Sequence, residues 1–156
     1  MFRNEQDYAP AVEALKPVLH NLPGKIVAIG GLPGVGKTTL ARYLAYRFNV
    51  SLIETDLFLI RNQGVMTYRE HWLNQVIGSR LDRPDPDWQR PVIVEGSTIL
   101  RLLNNLGRKA DFIIHVTNDD APESISTLAE DLKRYDAEYA PALRADICLC
   151  FSAGSE

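Results

Sequence analysis

A chain of 156 residues with a net charge of −3, 46% hydrophobic and 24% charged, can bury one sizeable core and has the balance of a soluble globular protein. No Lys/Arg run offers the phosphate-neutralising patch of a nucleic-acid binder, and no stretch approaches the roughly 18 apolar residues of a membrane span, so neither partner is expected. The opening MFRNEQDYAP has no apolar signal core, which predicts a cytoplasmic protein. Cys148 and Cys150 stand too close for a mutual disulfide and read as reduced core thiols, not as a metal site.

Taken in chain order, residues 1–24 form a helical extension, with a helix over Pro10–Asn21 disturbed by Pro17. A strand over Lys25–Gly30 precedes a helix whose apolar stripe is Leu40, Ala41, Leu44, Ala45 and Phe48. A second strand, Ser51–Thr55, leads to a helix over Tyr68–Leu81, in which Trp72 and Val76 bury one face, and to the loop RLDRPDPDWQRP. A third strand, Pro91–Glu95, is followed by a helix over Ser97–Leu106 with Gly107 past its end, where a left-handed turn costs least. A fourth strand, Asp111–Thr117, precedes a helix over Pro122–Tyr139, with Asp120 and Glu123 as a capping box, and Ala145–Phe151 is the last strand. His115, inside the fourth strand, reads as a satisfied core residue. The runs IVAI, VIV and FII are continuous and not alternating, as in parallel strands covered on both faces. Strand and helix alternate throughout, which predicts a single α/β domain over residues 1–156 around a parallel sheet.

The stretch VAIGGLPGVGKTTLARYLA puts glycine at 30, 31, 34 and 36 between an apolar run and a helical one. Gly31, Gly36, Lys37 and Thr38 match G-x-x-x-x-G-K-[ST] where that motif needs to be, after a strand and before a helix. Glycine lets the backbone curl with positive φ and removes β-carbons that would block phosphate oxygens. The helix start then aims unpaired N–H groups at the anion. Gly31, Leu32, Pro33, Gly34, Val35, Gly36, Lys37, Thr38 and Thr39 are therefore the expected nucleotide-binding residues. Lys37 would reach the β- and γ-phosphates of ATP, and Thr38 would ligate Mg²⁺.

Neither N-K-x-D nor D-x-x-G is present, which argues against a GTPase, and the acidic pair of the larger ATPases is replaced by the single carboxylate of VIVEGST. Ligands of open parallel sheets bind beyond the carboxyl ends of the strands. Lys37, Asp56 and Glu95 each follow a different strand at that edge and can converge there. Asp56 is the expected base or hydroxyl-positioning group of a phosphoryl transfer, and Glu95 would hold Mg²⁺ or bind the acceptor. A turn or cap carboxylate at 56 and an arginine-paired one at 95 are the structural alternatives.

With those residues in place, GLPGVGKTTLA, TDLF, VIVEG and RYDAEYAPALRADICL together resemble the uridine kinase and phosphoribulokinase-like branch of the P-loop nucleoside and nucleotide kinases, over roughly residues 25–151. The resemblance implies a three-layer α/β/α P-loop NTPase fold with a five-stranded parallel sheet in order 2-3-1-4-5, ATP with Mg²⁺ as cofactors, and Asp56 as catalytic base. Arg134, Tyr135, Tyr139, Pro141, Ala145 and Asp146 match the family stretch that leads into its last strand.

Two features depart from that pattern. Leu59 follows Phe58, where nucleoside-accepting members carry tyrosine or histidine, and the lid over 131–144 is abbreviated, with only Lys133, Arg134 and Arg144 available. Low turnover, a second subunit in a homodimer, or Arg134 acting as catalytic cation in place of several would each reconcile a short lid with the motif. Residues 57–90, holding Arg61, Tyr68, Arg69, His71, Trp72, Arg80, Arg83 and Trp88, would shape the pocket of a small-molecule acceptor. Those arginines suit an anionic acceptor, or else remain solvated. The expected activity is ATP-dependent phosphotransfer to a hydroxyl of a small nucleoside-like or sugar-like molecule. A nucleotide-binding regulatory or partner-binding domain, or an NMP kinase, are the alternatives.

Overall fold

The computed structural model describes residues 5–20, 24–121 and 127–152. Its main sheet has five parallel strands in the order β2-β5-β1-β6-β7: β1 (Ile26–Gly30), β2 (Ser51–Glu54), β5 (Val92–Glu95), β6 (Phe112–Asn118) and β7 (Ile147–Phe151). Counting sheet strands alone, this is the expected 2-3-1-4-5. A two-stranded antiparallel hairpin, β3 (Leu59–Ile60) and β4 (Thr67–Tyr68), is inserted between β2 and β5 and was not legible as strands. Two-residue strands are below the length at which alternation can be seen. The helix that follows it, α3, therefore starts at Glu70 and not at Tyr68.

The central strand explains the layering. All of IVAIG is buried, so the strand must be covered on both faces. Val27 and Ile29 face a core shared with α1 (Glu5–Leu19) and α2 (Lys37–Phe48). Ile26 and Ala28 face a second core under α3 (Glu70–Leu81), α4 (Ile99–Asn105) and α5 (Ala129–Tyr139). Helix α1 runs through both Pro10 and Pro17 and begins earlier than its proline content suggested. Gly107 takes the left-handed conformation after α4, with φ 67°, as its position predicted. A short helix, α6 (Pro141–Arg144), follows α5, and Ala140 between them adopts φ 43°. The capping box placed on Asp120 and Glu123 lies outside the described residues.

Three expectations about side chains fail for identifiable reasons. Cys148 and Cys150 are exposed, because β7 is an edge strand whose other face carries Leu149 and Phe151 inward. Trp72 is 60% and Val76 42% exposed, and α3 is instead anchored by Leu73 and Ile77. His115 is half-buried, and its Nδ1 has no hydrogen-bond partner, so it is not a satisfied core histidine. Among the described residues no helix is long and apolar enough to cross a membrane.

The register fixes the functional edge. Ile29 pairs with Glu95, Glu54 with Glu95, and Gly30 with His115, so β1, β2, β5 and β6 end side by side. The turn after β5 has no slack there. A β-carbon on Gly96 would collide with the Oγ1 of Thr55, which is fully buried and without a hydrogen-bond partner. Threonine is stiff about χ1 and cannot swing aside cheaply. Gly96→Ala is expected to cost roughly 1–3 kcal/mol by overpacking, and most of that cost should vanish in a Thr55→Ala background. Urea unfolding of the four proteins of this cycle checks it; an equal cost in both backgrounds would refute the contact.

Candidate active site

The loop from Gly31 to Gly36 is built from conformations that favour glycine. Gly31, Gly34 and Gly36 have φ of 149°, 82° and 101°, and Gly36 serves as a left-handed N-cap for α2. Gly31 is doubly constrained, because a β-carbon there would run into the carbonyl oxygen of Val116. The loop therefore presses against β6 on one side and opens the first turn of α2 on the other. The cap has no side-chain hydrogen bond, which leaves the helix's leading N–H groups available to an anion.

Lys37 folds back over this loop. It is only 7% exposed, and its Nζ donates to the carbonyl of Leu32 at 3.1 Å. Burial lowers its pKa, opposed by the nearby charges of Glu95 and Asp56. Glu95, 2% exposed at the end of β5, accepts a hydrogen bond from the Thr38 hydroxyl at 3.0 Å. Burial raises its carboxyl pKa, although the Thr38 bond and the Lys37 charge pull the other way. The expected alternative of an arginine partner for Glu95 is not what is seen. Thr38 Oγ1 and Glu95 Oε1 are adjacent hard oxygen donors, and Mg²⁺ characteristically takes one or two such protein ligands and completes its shell with phosphate and water. Among the described residues no cluster of three or more His, Cys, Asp or Glu side chains forms a separate metal cage. The donor set at 38 and 95 therefore fits Mg²⁺ bound together with a nucleotide.

Asp56 sits in a 3-10 turn, Thr55–Phe58, directly after β2. It is exposed and lines a crevice of about 560 Å³ together with Gly34, Gly36, Lys37, Thr38 and Thr39. Leu59, Arg61 and Met66, from the hairpin, and Leu128, just before α5, form the far wall. Lys37, Thr38 and Asp56 thus share one cavity, with Glu95 hydrogen-bonded at its base. Arg134 is not among the residues lining it: its side chain is 65% exposed and lies 4.0 Å from Asp131. Of the arginines between residues 57 and 90, only Arg61 reaches the crevice; Arg83 bonds the Ser79 carbonyl, and Arg80 is exposed on α3.

A second cavity, of about 690 Å³, occupies the other flank of the loop between Leu32, Val35 and the α5 residues Leu132, Tyr135 and Asp136. Pro33 and Ser97 border both cavities. His115 lines this second space, and burial lowers its pKa against the opposing charge of Asp136.

Two structural residues near the site escaped sequence reasoning. Asp131, 3% exposed, accepts both terminal nitrogens of Arg101 at 3.0 and 2.7 Å and the backbone N–H of Met66 at 2.8 Å. This pair holds its carboxyl pKa low and ties α5 to α4 and to the hairpin wall. The only sequence hint was an arginine set inside the apolar run ILRLL. The late family-like stretch proves largely architectural. The Tyr135 hydroxyl accepts from Leu100 N at 3.2 Å with its pKa pushed by burial to about 12, and Asp146 accepts from Ile113 N at 2.8 Å.

The sequence pattern of the ATPase family associated with various cellular activities (AAA) matches residues 27–94, from β1 to the penultimate residue of β5. No curated protein sequence matches the chain. Among solved structures, a possible uridine kinase from Bacillus stearothermophilus superposes with a TM-score of 0.66 at 16% identity, covering 92% of this chain and 98% of that one. A protein provisionally assigned as a fructose transport system kinase from Silicibacter sp. TM1040 superposes with a TM-score of 0.59 at 18% identity, covering 91% and 98%. The fold is that of the P-loop NTPases.

The raised pKa of Glu95 sets a sign. A carboxyl whose folded pKa lies above its unfolded value costs stability as pH rises through that interval, and the cost disappears below the unfolded value of about 4.3. Glu95→Gln is therefore expected to melt roughly 2–4 °C above the wild type near neutral pH, with the gap closing in acid, while Mg²⁺-dependent nucleotide binding weakens by about tenfold or more. Calorimetry at several pH values with nucleotide titrations checks both halves; a variant that melts lower at every pH would contradict the electrostatic reading.

Proposed function

We propose that the chain is an ATP-dependent phosphotransferase that moves the γ-phosphoryl group to a hydroxyl of a small acceptor. One observation carries this reading: Lys37, Thr38 and Asp56, delivered by two different strands, face a single crevice above the buried carboxylate of Glu95. The resemblance of the fold to structures described as a possible uridine kinase and as a sugar-transport kinase supports it.

The residues divide the work. Backbone N–H groups of residues 31–38 and the start of α2 bind the β- and γ-phosphates. Lys37 exchanges its bond to the Leu32 carbonyl for phosphate oxygens, and its buried charge then faces the charge that moves from γ to β. Thr38 and Glu95 hold Mg²⁺, which neutralises phosphate charge when bound. Across the crevice, Asp56 accepts the acceptor hydroxyl proton as that oxygen forms its bond to the γ-phosphorus. The bond from γ-phosphorus to the β–γ bridging oxygen breaks, and ADP leaves with the electron pair.

One observation favours a second reading, a nucleotide-binding regulatory module with little turnover. Arg134 is exposed and outside the crevice, so Lys37 and Arg61 are the cations that line it among the described residues. Acceptor-dependent ADP formation separates the two readings.

Asp56→Asn preserves shape and removes the base. It is expected to lower kcat by about 10²–10⁴ while leaving ATP binding within a few-fold of the wild type. Coupled ADP-release assays alongside calorimetric ATP binding measure both quantities. Transfer that survives the substitution intact would remove Asp56 from the mechanism.

A further inference from the structure

We infer that the acceptor is a compact molecule carrying its own anionic group, a phosphate ester or a carboxylate, which Arg61 receives, and that it is not a neutral nucleoside. The inference rests on the phosphotransferase reading above and names the substrate class of that same crevice.

Three features of the far wall point there. The first is an uncommitted cation. Among the described residues the Arg61 guanidinium has no hydrogen-bond or ion-pair partner; only its backbone carbonyl is engaged, by Gln63 Nε2 at 3.2 Å. The other arginines with an assigned side-chain bond in this half of the chain satisfy the protein itself, as Arg101 does with Asp131 and Arg108 with Asp82. A guanidinium left free on the rim of a binding crevice offers a planar fork that matches carboxylate or phosphate oxygens. The second is position. Arg61 follows β3 on the hairpin, Asp56 precedes β3, and both line the same cavity as Lys37. An acceptor whose hydroxyl meets Asp56 therefore shares its cavity with Arg61.

The third is the absence of a base platform. None of the described residues lining the crevice is aromatic, and the far wall beside Arg61 is aliphatic, made by Leu59, Met66 and Leu128. A nucleobase is held chiefly by stacking on flat side chains, whereas a small polyol needs only a charge anchor and a few hydrogen bonds. The total volume of about 560 Å³ must also take the γ-phosphate end of ATP, which leaves room for a compact acceptor.

The test uses matched pairs that differ in one anionic group: ribose against ribose 5-phosphate, glucose against gluconate, and uridine against uridine monophosphate. ADP formation is measured for each with saturating ATP and Mg²⁺. Thermal shift is measured separately for each with ADP and Mg²⁺, so that binding is read whether or not transfer occurs. The wild type should prefer an anionic member over its neutral partner by about tenfold or more in kcat/KM, and only that member should raise the melting temperature. The phosphate and carboxylate arms show which anion is preferred. Arg61→Gln should collapse the preference about tenfold through KM, Arg61→Lys should restore part of it, and Arg80→Gln, on the exposed face of α3, should leave it intact. Equal use of neutral and anionic members, or a preference unaltered by Arg61→Gln, overturns the inference. Anion-selective, Arg61-dependent binding without any transfer upholds the anion site and overturns the transfer reading. No binding by any anionic member overturns the site itself.

Discussion

The whole arrangement depends on a backbone that turns where side chains cannot follow. Between β1 and α2 the chain reverses through Gly31, Gly34 and Gly36, all at positive φ, and Gly31 lies so close to the Val116 carbonyl that no β-carbon fits. The turn brings the N-terminus of α2 to the carboxyl edge of the sheet with its leading amides unpaired. Beside them the Lys37 Nζ donates to the Leu32 carbonyl. A polyphosphate would replace that bond with several charge-assisted ones.

The second constraint is electrostatic. Lys37 and Glu95 are both buried, and burial shifts each toward its neutral form, the amine downward and the carboxyl upward. Each also stabilises the other's charge, so the pair holds an incompletely compensated field in a confined space. That field costs the fold some stability and is what a nucleotide and its metal would relieve. The Asp131–Arg101 pair works in the opposite sense. It is bidentate, further satisfied by the Met66 amide, and it fixes α5 and the hairpin wall in place. Lys37 and Glu95 influence each other only through space, with their bonds made to the Leu32 carbonyl and the Thr38 hydroxyl, whereas the Asp131–Arg101 ion pair is closed against change.

The central strands and the phosphate loop were legible because each rests on a local rule, whereas the strand order came only with the family resemblance. Uninterrupted apolar runs mean strands covered on both faces, and a glycine–lysine–threonine junction between strand and helix means bound phosphate. The convergence of Asp56 and Glu95 with Lys37 was legible for a related reason, since a parallel sheet delivers successive strand ends to one edge. What escaped was whatever depends on partners distant in sequence. Nothing near Asp131 announces that Arg101 and Met66 will enclose it. Cys148 and Cys150 were misplaced because ICLCF reads as apolar throughout, while an edge strand buries only alternate residues. Trp72 was assigned to a buried face on hydrophobicity alone, whereas the helix turns Leu73 and Ile77 inward. The hairpin that carries Arg61 into the crevice was too short to leave a periodic trace.

The central claim, that bare main-chain amides between Gly31 and Thr38 enclose a polyanion, is tested most directly by amide proton and nitrogen NMR during titration with ADP and Mg²⁺. The account predicts saturable downfield shifts concentrated at Gly34, Gly36, Lys37 and Thr38, reproduced in part by pyrophosphate alone and weakened by Lys37→Ala. Loop amides that stay unmoved at saturating nucleotide, or shifts centred on another surface, would contradict it.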